Sequence, residues 1–396
     1  MFITIKRILT VTLIVLTILL ISEKFLSSSY YKAQNYEVNN YGPNLNLILQ
    51  KDRQKNVNEK DLKIILAWNE AYGSKKYDIG FGREPFYKYK CPETRCYMTD
   101  QRDYKNVEDF DAIIFHQRSF KWSDIPKKRK NHQRYIHWLV ESAQYIYMDI
   151  STMNGFFNWT MTYRSDSDFY LPYGRIVKVK EHTSDPIELK QLIEKFGKKN
   201  KYIAKRKNEP QAAWFVSHCA TMARRELYAK ALGRSYPLHI YGKCGKYKCD
   251  RGNETFCYQM LEENYKYYLS FENSICKDYV TEKFFTILKK NIIPITLSGA
   301  DYKSIAPPHS YISVYDHANP KKVAKYLQYL DDNDEKYAEF FWWKDYYEIR
   351  NQAEDRAQSY CKLCEDLWNS PPKVYDNIEN WWVRQSFCKK ITLNYP

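Results

Sequence analysis

The chain has 396 residues, enough for two domains of ordinary size with appendages, and 62 basic against 47 acidic residues give a net charge of +15. That balance admits nucleic acid, an anionic membrane or an anionic substrate, but no DNA- or RNA-binding motif is present, and runs such as Pro126–Lys130 read as solvated surface. The ten Cys include the close pairs Cys91/Cys96, Cys244/Cys249 and Cys361/Cys364; zinc would need four ligands, and the lone C-x-x-C at 361 lacks a second motif, so disulfides in an oxidising lumen fit better.

In chain order, Lys6 and Arg7 precede an uncharged apolar run, residues 8–22. At about 1.5 Å per residue this is short for a bilayer. Phe2–Ile5 can extend it while the two cations reach the interface. No clean cleavage site follows at Ser27–Ser29, so a transmembrane signal-anchor is expected, with residues 1–7 as a cytosolic tail and the body lumenal. A short span suits an early-secretory membrane, and the Golgi is the expected address. Residues 23–60 are polar and without period, a stem.

Residues 61–205 read as a first α/β domain, with buried strands at Leu62–Trp68, Asp111–Phe115 and Arg134–Val140. Glu141 directly follows the third strand, at its carboxyl end. The loop Cys91–Cys96 is expected to carry a disulfide, either local or to the C-terminal Cys cluster. Asn158-Trp-Thr and Asn253-Glu-Thr are glycosylation sequons. The charged stretch 178–210 reads as an inter-domain link.

A second α/β domain, 206–350, opens with a strand at Ala212–Ser217, which leads through His218 and Cys219 into a helix bearing Arg224 and Arg225. Leu238–Tyr241 is a strand turning at Gly242. Tyr267–Phe271 reads as a strand with a polar exit, Thr281–Lys290 as a helix capped by Thr281 or Asp278, and Ile292–Leu297 as a strand. Lys283 in the first helical turn opposes the helix dipole, which points to an anionic ligand holding it. Cys244, Cys249, Cys257 and Cys276 surround this region and could pair. A strand at Tyr311–Tyr315 and helices at Asn319–Leu330 and Asp334–Tyr347 follow. The tail 351–396, with Cys361, Cys364 and Cys388, is expected to pack back on the body.

Phe271–Ser274 (FENS), Asp278–Phe284 (DYVTEKF) and Ile292–Gly299 (IIPITLSG) together resemble the donor-sugar signature of the α1,3-fucosyltransferases, glycosyltransferase family 10. Phe156–Gly174 (FFNWTMTYRSDSDFYLPYG) is similar to a second family segment nearly residue for residue. That segment fixes the register of Glu141, whose neighbours Ser142 and Ala143 depart from the family's E-S-P only at the third position. The resemblance implies a GT-B fold, two Rossmann-like domains facing across a cleft. It implies inverting transfer of L-fucose from GDP-β-L-fucose to the GlcNAc of a glycoprotein or oligosaccharide, the N-glycan core slightly favoured over LacNAc or LacdiNAc antennae.

By the same resemblance Glu141 is the general base, and Arg225, with Arg224 as fallback, and Lys283 bind the diphosphate. Ser217, His218 (Asn in the family) and Tyr241 fall in donor elements. Asn273 and Glu282 would contact fucose and ribose, and Tyr279 would lie near the nucleotide. No organic cofactor is implied, with Mn2+ or Mg2+ as stimulants lacking a dedicated site. Asp166 and Asp168 form a D-x-D, a metal-ligand pattern, but the resemblance favours a structural or acceptor-side role. No nucleic-acid partner is expected. The alternative is a catalytically inactive, membrane-anchored glycan-binding protein of the same fold, which Ala143 and His218 would suit.

Overall fold

The structure, a computed structural model, describes residues 61–206, 212–249 and 251–392. The expected cytosolic tail, signal-anchor and stem lie outside the described residues. No helix among the described residues is long and apolar enough to cross a membrane.

The first sheet holds β1 (Lys63–Ala67), β2 (Cys96–Thr99), β3 (Ala112–His116), β4 (Arg134–Leu139), β5 (Trp159–Thr162) and β6 (Phe169–Tyr170). All are parallel, in the order β2-β1-β3-β4-β5-β6. A two-stranded antiparallel ribbon joins β7 (Ile176–Lys178) to β13 (Tyr347–Ile349). The second sheet holds β8 (Ala212–Phe215), β9 (Leu238–Tyr241), β10 (Tyr267–Phe271), β11 (Ile293–Leu297) and β12 (Ile312–Ser313). It is also parallel, in the order β12-β11-β10-β8-β9. Counted within its own sheet, each unit winds alike: the second strand lies outside the first, and the third starts the other wing. Every residue of β3, β10 and β11 is buried, because helices and loops cover both faces of a parallel sheet; this is why they read as largely apolar runs. The winding leaves a crevice at the carboxyl ends, between β1 and β3 in one unit and between β8 and β10 in the other.

The stretch 178–210 is not a bare link. It contains helix α1 (Pro186–Asn200). Asp185 caps it, its carboxylate accepting from the amides of Ile187 and Glu188, and Pro186 sits in the first turn. The apolar face is sparse, but Leu189, Leu192, Ile193 and Phe196 all pack on the cluster around Phe284 and Trp342. Another correction falls at Asp334–Tyr347. The helix there ends at Ala338 and continues as a 3-10 segment, Glu339–Asp345. Phe340, Phe341, Trp342 and Trp343 are all buried. Successive α-helical residues point 100° apart, so one apolar face cannot bury four in a row. The strand expected at Tyr311–Tyr315 shrinks to Ile312–Ser313 followed by a 3-10 turn.

The tail closes over the first sheet. Helix α6 is numbered after α2 (Arg225–Leu232), α3 (Glu254–Asn264), α4 (Glu282–Leu288) and α5 (Pro320–Asp331), and spans Gln352–Asn369. Disulfides Cys91–Cys361 and Cys96–Cys364 fasten it, so the Cys91–Cys96 loop pairs with the tail and not with itself. Tyr360 and Leu363 enter the core with Ile65 and Trp138, and the Trp138 indole donates to the Tyr360 hydroxyl at 3.0 Å. Ile378 and Trp382 fill the other face, and Cys388 pairs with Cys276.

The Asn158 sequon is buried: its amide donates to the Lys373 carbonyl at 2.7 Å and its oxygen accepts from the Tyr135 amide at 2.8 Å. A glycan cannot sit on this nitrogen in the folded chain, so the expectation for Asn158 is withdrawn, whereas Asn253 is exposed. Both carboxylates of the D-x-D are engaged: Asp166 pairs with Arg164 and Lys277, Asp168 with Lys373. Among the described residues no group of three or more His, Cys, Asp or Glu is arranged to hold a metal ion.

His137, in β4, is fully buried between Phe157 and Trp382, and among the described residues neither ring nitrogen has a hydrogen-bond partner. Burial pushes its pKa down from 6.5 to about 3. A depressed folded-state pKa means the unfolded chain binds the proton first. Stability is therefore complete above about pH 6.5 and is lost toward acid, at up to about 1.4 kcal/mol per pH unit for this group. In urea unfolding at pH 7, 6 and 5, His137→Leu is expected to flatten that acid slope whatever its absolute stability; an unchanged slope would clear His137 as its source.

Candidate active site

A cleft of about 740 Å³ opens at the carboxyl ends of β8, β9 and β10, at the crevice where the second sheet reverses its winding. Ser217, His218, Arg225, Tyr241, Asn273, Glu282 and Lys283 all line it, so the fold brings together seven of the residues singled out for the donor. Two do not join them. Arg224 is exposed, in a left-handed turn just before α2. Tyr279 is buried outside the cleft lining.

Gly242 makes the tight return after β9. Its φ is +93°, and a Cβ there would come within 2.6 Å of the Val216 carbonyl oxygen, so a side chain is shut out twice over. Disulfide Cys219–Cys244 ties the loop after β8 to the loop after β9, and Cys249–Cys257 pins the latter to α3. Cys219 was not among the expected disulfide cysteines; its partner lies on the adjacent strand's exit, a proximity visible only once the strands pair.

Arg225 begins α2 and is almost wholly buried, with one guanidinium nitrogen donating to the Phe271 carbonyl at 2.6 Å. Burial works against its charge, and nearby Glu272 partly offsets that. Among the described residues its Nε has no hydrogen-bond partner. An unpaired buried N–H is costly, and a phosphate oxygen would satisfy it. Lys283 donates to Thr281 at 2.7 Å and lies 3.0 Å from Glu282 and 3.3 Å from Glu272. Burial opposes its charge, but the two carboxylates outweigh burial and raise its pKa. The counter-charge to this first-turn cation is therefore supplied by the chain's own Glu272 and Glu282. Glu272 is fully buried, which raises its pKa against the pull of Lys283.

Glu141 stands beside this cleft, at the end of β4. Its Oε1 accepts from the Ser142 amide at 3.1 Å, from Asn273 Nδ2 at 3.3 Å and from the Tyr279 hydroxyl. Its Oε2 lies 3.8 Å from Arg118, which sequence reasoning missed. The signal was there: Arg118 follows the carboxyl end of β3 as Glu141 follows β4. The aromatic lining from Tyr258 and Tyr268 was also missed.

Two doubly wound parallel sheets, with a cation-bearing cleft at strand ends and a carboxylate delivered from the facing unit, suit group transfer from an anionic donor. Residues 60–174 match the family model described as fucosyltransferase, N-terminal, and residues 204–381 match that of glycosyltransferase family 10 (fucosyltransferase), C-term. The chain belongs to glycosyltransferase family 10, the fucosyltransferases. It is similar to alpha-(1,3)-fucosyltransferase C of Drosophila melanogaster, at 32% identity over 86% of this chain and 82% of the relative. It is also similar to glycoprotein 3-alpha-L-fucosyltransferase A of the same organism, at 33% over 83% of this chain and 61% of that longer protein. A human 4-galactosyl-N-acetylglucosaminide 3-alpha-L-fucosyltransferase is 31% identical over 73% of this chain and 75% of its own.

Proposed function

We propose that the protein is an inverting α1,3-fucosyltransferase that moves L-fucose from GDP-β-L-fucose to a GlcNAc hydroxyl of a glycoprotein glycan, with the N-glycan core slightly favoured. One observation carries the reading. Asn273 lines the cleft that holds Arg225 and Lys283, and the same side chain donates to Glu141 at 3.3 Å. A single side chain thus separates a candidate base from a candidate leaving-group site.

The chemistry follows from that spacing. The acceptor hydroxyl attacks the anomeric carbon from the face opposite GDP. The new carbon–oxygen bond forms as the bond to the diphosphate breaks, and the hydroxyl proton passes to Glu141. Charge developing on the diphosphate is met by Arg225 and Lys283. Lys283 would exchange part of its contact with Glu272 and Glu282 for phosphate oxygen. No organic cofactor takes part; stimulation by Mn2+ or Mg2+ is a separate question for assay. The Golgi membrane, with a lumenal body, is the proposed address. An inactive glycan-binding protein has no need of Glu141, Arg225, Glu282 and Lys283 together, so the transferase reading is preferred.

The test gives the full chain GDP-fucose with either an N-glycan core glycopeptide or LacNAc and LacdiNAc oligosaccharides, and counts added deoxyhexose by mass spectrometry. Addition to one acceptor class is expected. No addition to any, with GDP binding intact, would favour the inactive glycan binder.

A further inference from the structure

Glu141 leads into a segment whose direction is set from both ends. Ala143–Tyr145 is a 3-10 turn, and Ile150–Met153 is another, capped by Asp149, which accepts from the Ser151 amide at 3.0 Å. Tyr145 turns inward, its ring 5.7 Å from that of His218. Ile146 has extended backbone, and Ile146 and Met148 both pack on the core of the first unit. Successive side chains of an extended chain point opposite ways, so Tyr147 between them faces out. It is 76% exposed, more than any other large apolar or aromatic side chain among the described residues.

A single exposed aromatic is ordinary; this one belongs to a group. Arg118, in the 3-10 turn after β3, lies 3.8 Å from Glu141 Oε2 and also over the Tyr147 ring, 5.4 Å from its centre. The same guanidinium hydrogen-bonds the Tyr72 hydroxyl: burial, then the Glu141 charge, raises that phenol's pKa, and Arg118 works the other way. Tyr72 is exposed, with its ring 4.8 Å from that of buried His116. Its φ is +52°, in the left-handed region that a residue with a side chain rarely takes outside functional sites. Tyr72, Arg118 and Tyr147 thus come from the loops after β1, β3 and β4. They meet at the crevice where the first sheet reverses its winding, as the donor cleft does in the second.

We propose that the Tyr147 ring is the platform for the sugar next to the reacting GlcNAc, so that the protein takes extended glycans in preference to a single residue. The inference rests on Glu141 acting as the base. An acceptor whose hydroxyl meets Glu141 and which continues over Arg118 arrives at Tyr147. The C–H face of a pyranose ring packs on an aromatic face as other apolar surface does, and a ring held from both ends loses little freedom in receiving it.

The experiment uses the full chain with Tyr147→Ala and Tyr147→Phe, the extended glycan that gains deoxyhexose in the transfer assay, and a single GlcNAc glycoside as its competitor. Tyr147→Ala is expected to raise KM for the extended acceptor about tenfold, the size of one lost aromatic contact. The kcat, the Kd for GDP and the Ki of the single-sugar competitor should each stay within about twofold. Tyr147→Phe keeps the ring and should restore the original KM; a KM as high as in the Ala variant would mean that the hydroxyl binds, and overturns the platform. An unchanged KM in the Ala variant also overturns the proposal. So does an equal rise in KM and in the Ki of the GlcNAc glycoside, because Tyr147 would then touch the reacting sugar itself. A loss shared by kcat and melting temperature marks a structural role and overturns it as well. No transfer by the unaltered chain would be a separate failure, that of the transferase reading. Saturation-transfer NMR of the same two glycans then decides for Tyr147: the Ala variant must bind the extended glycan more weakly and the single sugar as before, and any other result overturns the proposal.

Discussion

Glu141→Gln is expected to lower kcat by about a thousandfold, within the span usual for loss of a general base, while GDP binds as before. The replacement keeps the size of the side chain and leaves an amide oxygen for Tyr279 and Asn273 to donate to. What it removes is the capacity to accept a proton. The fold should not notice: the side chain is one-fifth exposed and its ion-pair partner, Arg118, stands 3.8 Å away. Initial rates of deoxyhexose transfer and calorimetric GDP titration read the two quantities separately. Near-normal turnover would remove Glu141 as the base.

The sheets were legible because a parallel strand covered on both faces is apolar over most of its length. Tyr267–Phe271 is the strand expected, residue for residue, and Ile293–Leu297 falls within its predicted run. Helix α4 starts where Thr281 was placed as its cap. The failures have a common origin in contacts that sequence spacing does not encode. β2 is only Cys96–Thr99, and pairing with β1 defines it more than its composition does. Helix α1 was hidden because its apolar stripe is thin and its burial depends on Phe284 and Trp342, far along the chain. At the site, Glu141 could be found from its place at a strand end and from the register of the segment after it. The hydrogen bond from Tyr279 could not, because the carboxylate it touches lies 138 residues away across the two halves. Arg224 and Arg225 were indistinguishable as neighbours. The backbone separates them: one caps α2 in a left-handed turn facing solvent, and the other opens the helix facing the cleft.

Removing the two disulfides that hold α6 should cost far more together than apart. Cys91–Cys361 and Cys96–Cys364 span 270 and 268 residues. In the chain-entropy account, the first bridge formed closes that whole loop and is worth about 5–6 kcal/mol. The second then closes only the few residues between the two crossings and adds about 2.5 kcal/mol. Either pair changed to Ala alone should therefore destabilise by about 2.5 kcal/mol, and all four together by about 8 kcal/mol, some 3 kcal/mol beyond the sum of the pairs. Guanidinium unfolding of the three variants measures this. A strictly additive result would mean that residual structure in the unfolded chain, or packing in the native one, outweighs loop closure. The site should feel the loss as well. Helix α6 carries Tyr360 beneath Trp138, and Trp138 lies in the strand whose end presents Glu141. The four-Ala variant, assayed where it is still folded, should lose kcat before it loses GDP affinity, because the cleft behind β8 and β10 is fastened by disulfides of its own.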